Sequence, residues 1–546
     1  MDDLSISFHM GRFDPALIRR AAGQGFNDVT FQTEGGANHG LLVDLDRRAR
    51  AAGVPDLLAS LGMSATAWVH EFDDRREGLG PIDLANDRLW DDLAARYRRI
   101  FTDTCPWLDR LVLTVSETSV NCTEEALLRK TVGVIHAVCR KHGKRLILRT
   151  FVHDPDELGQ VAASLVGLPP EVAVMTKMVP QDWTLTDQPD PLIGKVGDRP
   201  QVVELDICGE YWRGDLIPHF KGPWLAEHFA RWREAGCVGL SVRVDRRQRP
   251  GAWWQPQTRD YFLAGQPQEA DLDALARLAR GETDAVSAAA LAWARPLCRD
   301  DASAARLAAA LPVTGEALRV ATILRGYPFS ITWNRVPGEW TMNRAHGPKA
   351  ESRARAYADE DDAEHRSPWH VKPSPMRWDA SRWSEYHQLR RGAEPFLEEK
   401  EADLERVLSG LRAARAALDE IDWADGAART FHTFMFEEMS AYTEAAALCQ
   451  CFWLAASRWL YAETPDVRDT ARQQALAFDE RLAALGPRAG AVLDLDYAGR
   501  HWKQYGFQHL DVHGFRAWCR SYWYGLFEDP LLSVPIPEPS PCIREN

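Results

Sequence analysis

The chain has 546 residues, 45% of them hydrophobic and 26% charged, which is the make-up of an ordinary globular protein and excludes disordered, collagenous and coiled-coil classes. Its length leaves room for one large barrel plus a second domain. Acidic residues outnumber basic ones by 79 to 65 for a net charge of −14, and no Lys/Arg-rich run follows a phosphate backbone, so nucleic acid is not expected as a partner.

The N-terminal Met-Asp-Asp-Leu-Ser-Ile-Ser-Phe has no basic segment leading into an apolar one, and no stretch reaches the roughly 18 apolar residues of a membrane span. A cytoplasmic protein without membrane contact is the expectation. The ten cysteines are scattered with no CxxC and no zinc-site spacing, so they read as small apolar packers in a reducing compartment.

In chain order, short β-branched or apolar runs alternate with helical patterns over the first half. The predicted strands are 5–8, 28–32, 64–69, 111–115, 145–150, 172–177, 202–207 and 238–244. Predicted helices between them include 15–24, 54–61, 83–101, 123–142, 155–165 and 223–235, bounded by Pro, Asp or Gly. Eight such units over roughly 250 residues match a (β/α)8 TIM barrel. A doubly wound sheet is the alternative, but no GxGxxG turn supports it. Beyond residue 262 the texture is helical, with Ala/Leu/Arg/Asp-rich 270–310 and long helices over 394–421, 426–462 and 465–485, and no strand run of note. The segment 326–391 is an aromatic excursion containing Trp333, Trp369, Trp378 and Trp383, and Pro535–Pro541 is a proline-rich tail. The expected organisation is an α/β barrel over 1–262 and an all-helical C-terminal domain over 263–546.

Barrel chemistry belongs to the carboxyl ends of the strands. The polar residues predicted there are His9 and Arg12, Gln32 and Glu34, His70 and Glu71, Glu117, Arg149 and His153, Lys177 and Asp182, Asp206 and Glu210, and Arg243 and Asp245. Carboxylates facing Arg, Lys and His in one mouth suit general acid/base work on a polar, anionic substrate.

Two segments carry a resemblance. One is Thr114-Val115-Ser116-Glu117-Thr118 with Arg149-Thr150-Phe151-Val152-His153; the other joins Lys177-Met178-Val179-Pro180-Gln181-Asp182-Trp183 to Asp206-Ile207-Cys208-Gly209-Glu210-Tyr211. Over residues 110–245 the chain resembles family 67 of the glycoside hydrolases, the α-glucuronidases that remove glucuronic or 4-O-methylglucuronic acid from xylan fragments. The resemblance implies Glu117 as general acid and Asp182 with Glu210 as the pair that activates water, on strands expected to lie across the mouth from strand four. It implies Arg149 and Lys177 as the grip on the sugar carboxylate. His153, Glu34, His70, Arg243, Trp183 and Tyr211 are expected to contact substrate, with no metal and no cofactor. The partner implied is an oligosaccharide or glycoside, and the family's helical domain implies a homodimer.

Three departures stand out. Leu113 occupies the place of a family Lys, Gly209 that of a Gln, and the chain begins at strand one without the family's N-terminal domain. Leu113 leaves open a glycosidase acting on a neutral or differently linked sugar. A metal-dependent sugar isomerase or epimerase using His9, Glu34, His70, Glu71 and Glu204 is an alternative of another class, as is a non-catalytic sugar-binding barrel.

Overall fold

Eight strands, β1 (Asp3–His9), β2 (Asp28–Gln32), β3 (Ser64–His70), β4 (Arg110–Thr114), β5 (Arg145–Thr150), β6 (Ala173–Lys177), β7 (Gln201–Asp206) and β8 (Gly239–Arg243), form a closed parallel barrel in chain order. The barrel closes where β1 pairs β8, from Asp3 opposite Gly239 to Ser7 opposite Arg243. The computed structural model describes residues 1–9, 14–32, 39–71, 82–115, 124–150, 155–177, 190–207, 218–244, 265–325, 327–328, 392–485, 495–498 and 500–502. The barrel and the helical region after it are both as expected from sequence.

Side chains of a strand alternate between its faces, so each barrel strand sends every second residue to the helices. Ile6, Phe8, Val29, Phe31, Leu111, Leu113, Leu146, Leu148, Val203, Leu205, Leu240 and Val242 build that outer layer against the helices. The opposite set fills the interior, where Trp68, Val112, Ile147, Met175 and Val202 form an apolar middle layer. Below it Asp28 is fully enclosed, accepting from Ser5 Oγ at 2.7 Å and Thr66 Oγ1 at 2.8 Å, with Arg110 Nε 3.8 Å away. Burial pushes the Asp28 carboxyl above its usual range despite Arg110 and those hydroxyls. Gly239 is required at the closure, because a Cβ there would run into the Asp3 carbonyl oxygen of β1.

The barrel helices are α1 (Pro15–Gln24), α2 (His39–Ala51), α3 (Val54–Leu61), α4 (Asp87–Arg99), α5 (Glu125–Lys141), α6 (Pro155–Val166), α7 (Gly222–Glu234) and α8 (Gln268–Ala279). Local signals set their ends. Asp14 accepts from the amides of Ala16 and Leu17 ahead of Pro15, and Gly25 at φ 106° closes α1. The predicted helix 83–101 begins later, where Asn86 caps the Leu89 amide, and runs out through a π-turn at Ile100–Thr104. Helix α8 belongs to both halves of the molecule: Leu272, Leu275 and Ala276 enter the layer around the barrel, and Ala270 enters the second core. The expected boundary at 262 lies outside the described residues.

The second core is built by α9 (Ala285–Ala294), α10 (Asp301–Ala310), α11 (Pro312–Thr322), α12 (Glu394–Leu418), α13 (Gly426–Leu460) and α14 (Pro465–Ala484). The three segments predicted as long helices fall on α12, α13 and α14. Two short antiparallel pairs, Ile323–Leu324 with Tyr327–Pro328 and Leu495–Tyr497 with Arg500–Trp502, are strands the sequence did not announce, being too short for a period to register. On α12 the expected pairs Asp403/Arg406 and Arg415/Asp419 form at 3.0 Å each, and the like-charged Glu401 and Glu405 both approach Arg481 of α14. Most of the aromatic excursion and the whole proline-rich tail lie outside the described residues. The described cysteines Cys105, Cys139, Cys237, Cys298, Cys449 and Cys451 are buried thiols, and burial pushes Cys105 and Cys139 up to about 12. Among the described residues no helix is long and apolar enough to cross a membrane.

The carboxyl end of α11 is buried and is capped from outside. Lys400 of α12 donates to the carbonyls of Val320 and Ile323, the latter at 2.9 Å, and Gln450 Nε2 of α13 donates to Ala321 at 2.6 Å. Burial lowers Lys400 from its ordinary 10.5 to about 7. Because the unfolded chain then binds more protons than the folded one between those values, this group's contribution to stability is complete above 10.5 and is lost as pH falls toward 7. Urea unfolding across that interval should show the rise with pH in wild type and a flatter profile in Lys400→Met. A second expectation concerns closure: Gly239→Ala should destabilise the barrel by about 1–3 kcal/mol in the same assay.

Candidate active site

The inner faces of the strands converge at their carboxyl ends on a layer of charge. Alternation places Gln32, His70, Thr114, Arg149, Lys177, Asp206 and Arg243 in the layer at those ends, one step above the apolar middle layer. Glu204 lies on the same face of β7 as Asp206, two residues earlier.

Glu204 is the hub. Arg149 grips it through Nε to Oε2 and through Nη2 to Oε1 at 3.2 Å, the fork geometry of a guanidinium on a carboxylate. Lys177 Nζ is 3.5 Å and Arg243 Nη2 3.6 Å from Oε1. Burial by itself would raise this carboxyl; Arg149, Lys177 and Arg243 together outweigh it and hold Glu204 below the usual range, so it is ionised at neutral pH. Asp206 completes the layer, with Arg243 Nε at 3.1 Å, Arg243 Nη1 at 3.2 Å and Lys177 Nζ at 3.8 Å. Trp68 is the floor. Arg149 Cζ stands 4.3 Å and Arg243 Cζ 5.6 Å from its ring centroid, cation–π distances, and the indole is fixed by donating to Thr114 Oγ1 at 2.8 Å. His70 flanks this floor, 5.9 Å from the Trp68 ring.

Of the residues expected to act, Arg149, Lys177, Arg243 and His70 are brought together here. Glu117, Asp182, Glu210, His153, Glu34, Trp183 and Tyr211 lie outside the described residues, as do Arg12 and Asp245. Strands β6 and β7 were expected across the mouth from β4. In the closed order β6 stands two strands from β4 and β7 three, while β8 is opposite.

Leu113 also reads differently in the structure. It points outward into the layer under the helices, so any side chain at this position leaves the barrel mouth, and the third cation of the layer is Arg243 from β8. Glu71 turns outward too, accepting from Tyr97 Oη at 2.6 Å with Arg96 of α4 at 3.4 Å. Glu204 is held by cations, and Glu71 is engaged on the other side of the sheet. Among the described residues no three His, Cys, Asp or Glu side chains converge as metal ligands, and His70, Glu71 and Glu204 do not form the set proposed for an isomerase. Sequence reasoning missed Glu204 as the anchor and Trp68 as the floor, although their shared parity with Asp206 and His70 was the available signal.

No family model matches this chain, and no curated protein matches it. Solved structures do. A GH138 enzyme targeting pectin rhamnogalacturonan II superposes with a TM-score of 0.56 at 10% identity, covering 89% of this chain and 62% of that one. The chain thus spans under two thirds of that enzyme's length. An O-GlcNAc hydrolase from Thermobaculum terrenum, in a mutant form, covers 96% of this chain and 94% of its own at a TM-score of 0.38 and 10% identity. At 10% identity the likeness to the GH138 enzyme is one of fold alone.

Removing Glu204 should be costly, because it leaves three buried cations short of a carboxylate. Glu204→Ala is expected to lose about 3–5 kcal/mol in chemical denaturation, well beyond an ordinary surface substitution.

Proposed function

We propose that this chain is an inverting glycoside hydrolase acting on a sugar that carries a carboxylate. The observation that carries the reading is the gathering of Arg149, Lys177 and Arg243 around Glu204, two of them over Trp68, at the carboxyl ends of the barrel strands, the end where barrels of this kind hold their substrates. A guanidinium–ammonium cluster is suited to a uronic acid, and the resemblance to α-glucuronidases in residues 110–245 asks for the same group. The fold shared with a glycan-targeting enzyme of family 138 is in keeping with it.

In this reading Glu117, three residues past the end of β4, protonates the leaving oxygen. Asp182 and Glu210, following β6 and β7, direct and deprotonate the attacking water. Inversion needs the two functions separated by about 6.5–9.5 Å, so that water fits between base and anomeric carbon. His153, Glu34, Trp183 and Tyr211 line the sugar site with His70. The substrate is an oligosaccharide or glycoside, the enzyme works in the cytoplasm without cofactor or metal, and its helical region pairs two copies.

One observation favours a second reading, a neutral sugar on the same scaffold. Arg149 already commits its fork to Glu204.

A panel of α- and β-linked aryl glycosides and aldouronic oligosaccharides, followed by NMR, separates the two. The expected result is release of a uronic acid with inverted anomeric configuration, insensitive to EDTA, and reduced about 10²–10⁴-fold in Glu117→Gln. Activity confined to neutral sugars discards the carboxylate grip. Hydrolysis abolished by EDTA discards the metal-free mechanism, and no hydrolysis across the panel discards the glycosidase.

A further inference from the structure

The turn His219–Lys221, just before α7, joins the barrel to the helical region through buried contacts. The Phe220 amide donates to Thr314 Oγ1 of α11 at 3.0 Å, and that hydroxyl in turn donates to the Leu311 carbonyl at 2.7 Å. Gly315 lets α11 sit directly on the turn, since a Cβ there would strike the Phe220 carbonyl oxygen. The Lys221 amide donates to Asp271 Oδ1 of α8 at 2.8 Å, and the Gly222 amide reaches the same carboxylate, so Asp271 caps α7 from a separate helix. Lys221 then turns the other way. Its Nζ donates to the main-chain carbonyl of Asp206 at 3.2 Å, on the last residue of β7.

Lys221 is 2% exposed and Asp271 is fully buried. Enclosing an ammonium is expensive; the cap of α7 is made by backbone amides, and the Lys221 ammonium lies in the field of the buried Asp271 carboxyl, drawing it down against the burial that raises it well above the usual range. The ammonium's hydrogen bond, however, goes to the strand end whose side chain pairs Arg243, which a countercharge for Asp271 alone does not require. We infer that Lys221 is a positioning residue for the active site: held by Asp271 and seated on α11, it fixes the end of β7, and with it the Asp206–Arg243 pair. The helical region thereby sets the geometry of the barrel mouth. This inference rests on the function proposed above for what the mouth does, but the positioning itself is measurable without it.

The test uses the full chain as wild type, Lys221→Met and Lys221→Arg, with hydrogen exchange resolved over the end of β7 and steady-state hydrolysis of whichever glycoside wild type cleaves. Lys221→Met should speed exchange at the end of β7 by about tenfold with the other barrel strands unchanged. It should lower kcat by about tenfold with KM within about threefold, and Lys221→Arg should restore part of both. Exchange at β7 equal to wild type in a folded Lys221→Met overturns the inference. So does acceleration spread evenly over all strands, which would be plain destabilisation. Should Lys221→Met not fold, Thr314→Val removes the α11 contact and is held to the same local acceleration. A wild type with no hydrolysis would defeat the proposed function, while the exchange result would still decide the positioning.

Discussion

Glu204 with its three cations is the interaction around which the upper barrel is arranged. A carboxylate placed in a closed barrel would be protonated or expelled, and it is held ionised because Arg149, Lys177 and Arg243 reach it from three other strands. Stability alone does not explain such a set, because a well-packed apolar layer of the same volume is often as stable. One lies directly beneath it, in Val112, Ile147, Met175 and Val202. Polar interiors retained at the carboxyl ends of barrel strands are where substrate chemistry is placed. Trp68 ties the two layers together, apolar toward the middle of the barrel and a face for two guanidinium groups above.

The helical region is continuous with this arrangement. Helix α8 packs on the barrel through Leu272 and Leu275, carries the carboxylate that caps α7, and passes Ala270 into the second core. Further out, α11 is held by Lys400 and Gln450 at one end and touches the β7–α7 connection near the other. A chain of buried polar contacts therefore runs from α12 and α13 through α11 to the strand that bears Glu204 and Asp206.

Much of this was legible in the sequence. The eight strand runs and the long helices carry clear periods, and the polar residues at strand ends included His70, Arg149, Lys177, Asp206 and Arg243. The pairings were not legible, because which side chains meet inside a barrel depends on the stagger between strands, and a count along one strand contains no stagger. Leu113 shows the same limit: matched by position to a family lysine, it occupies the outward parity of β4. The separation of β4 from β6 and β7 follows from closure, which no single βα unit encodes. The pairs at 323–328 and 495–502 are two or three residues per strand, below the length at which alternation can be read.

The most direct test is a crystal structure of the protein soaked with a free hexuronic acid, alongside the corresponding neutral hexose. The account predicts the hexuronate at the carboxyl ends of the strands, with its carboxylate in contact with Lys177 or Arg243 and the neutral sugar absent or weaker at the same concentration. A hexuronate bound elsewhere, or a mouth that takes the neutral sugar equally well, would contradict it.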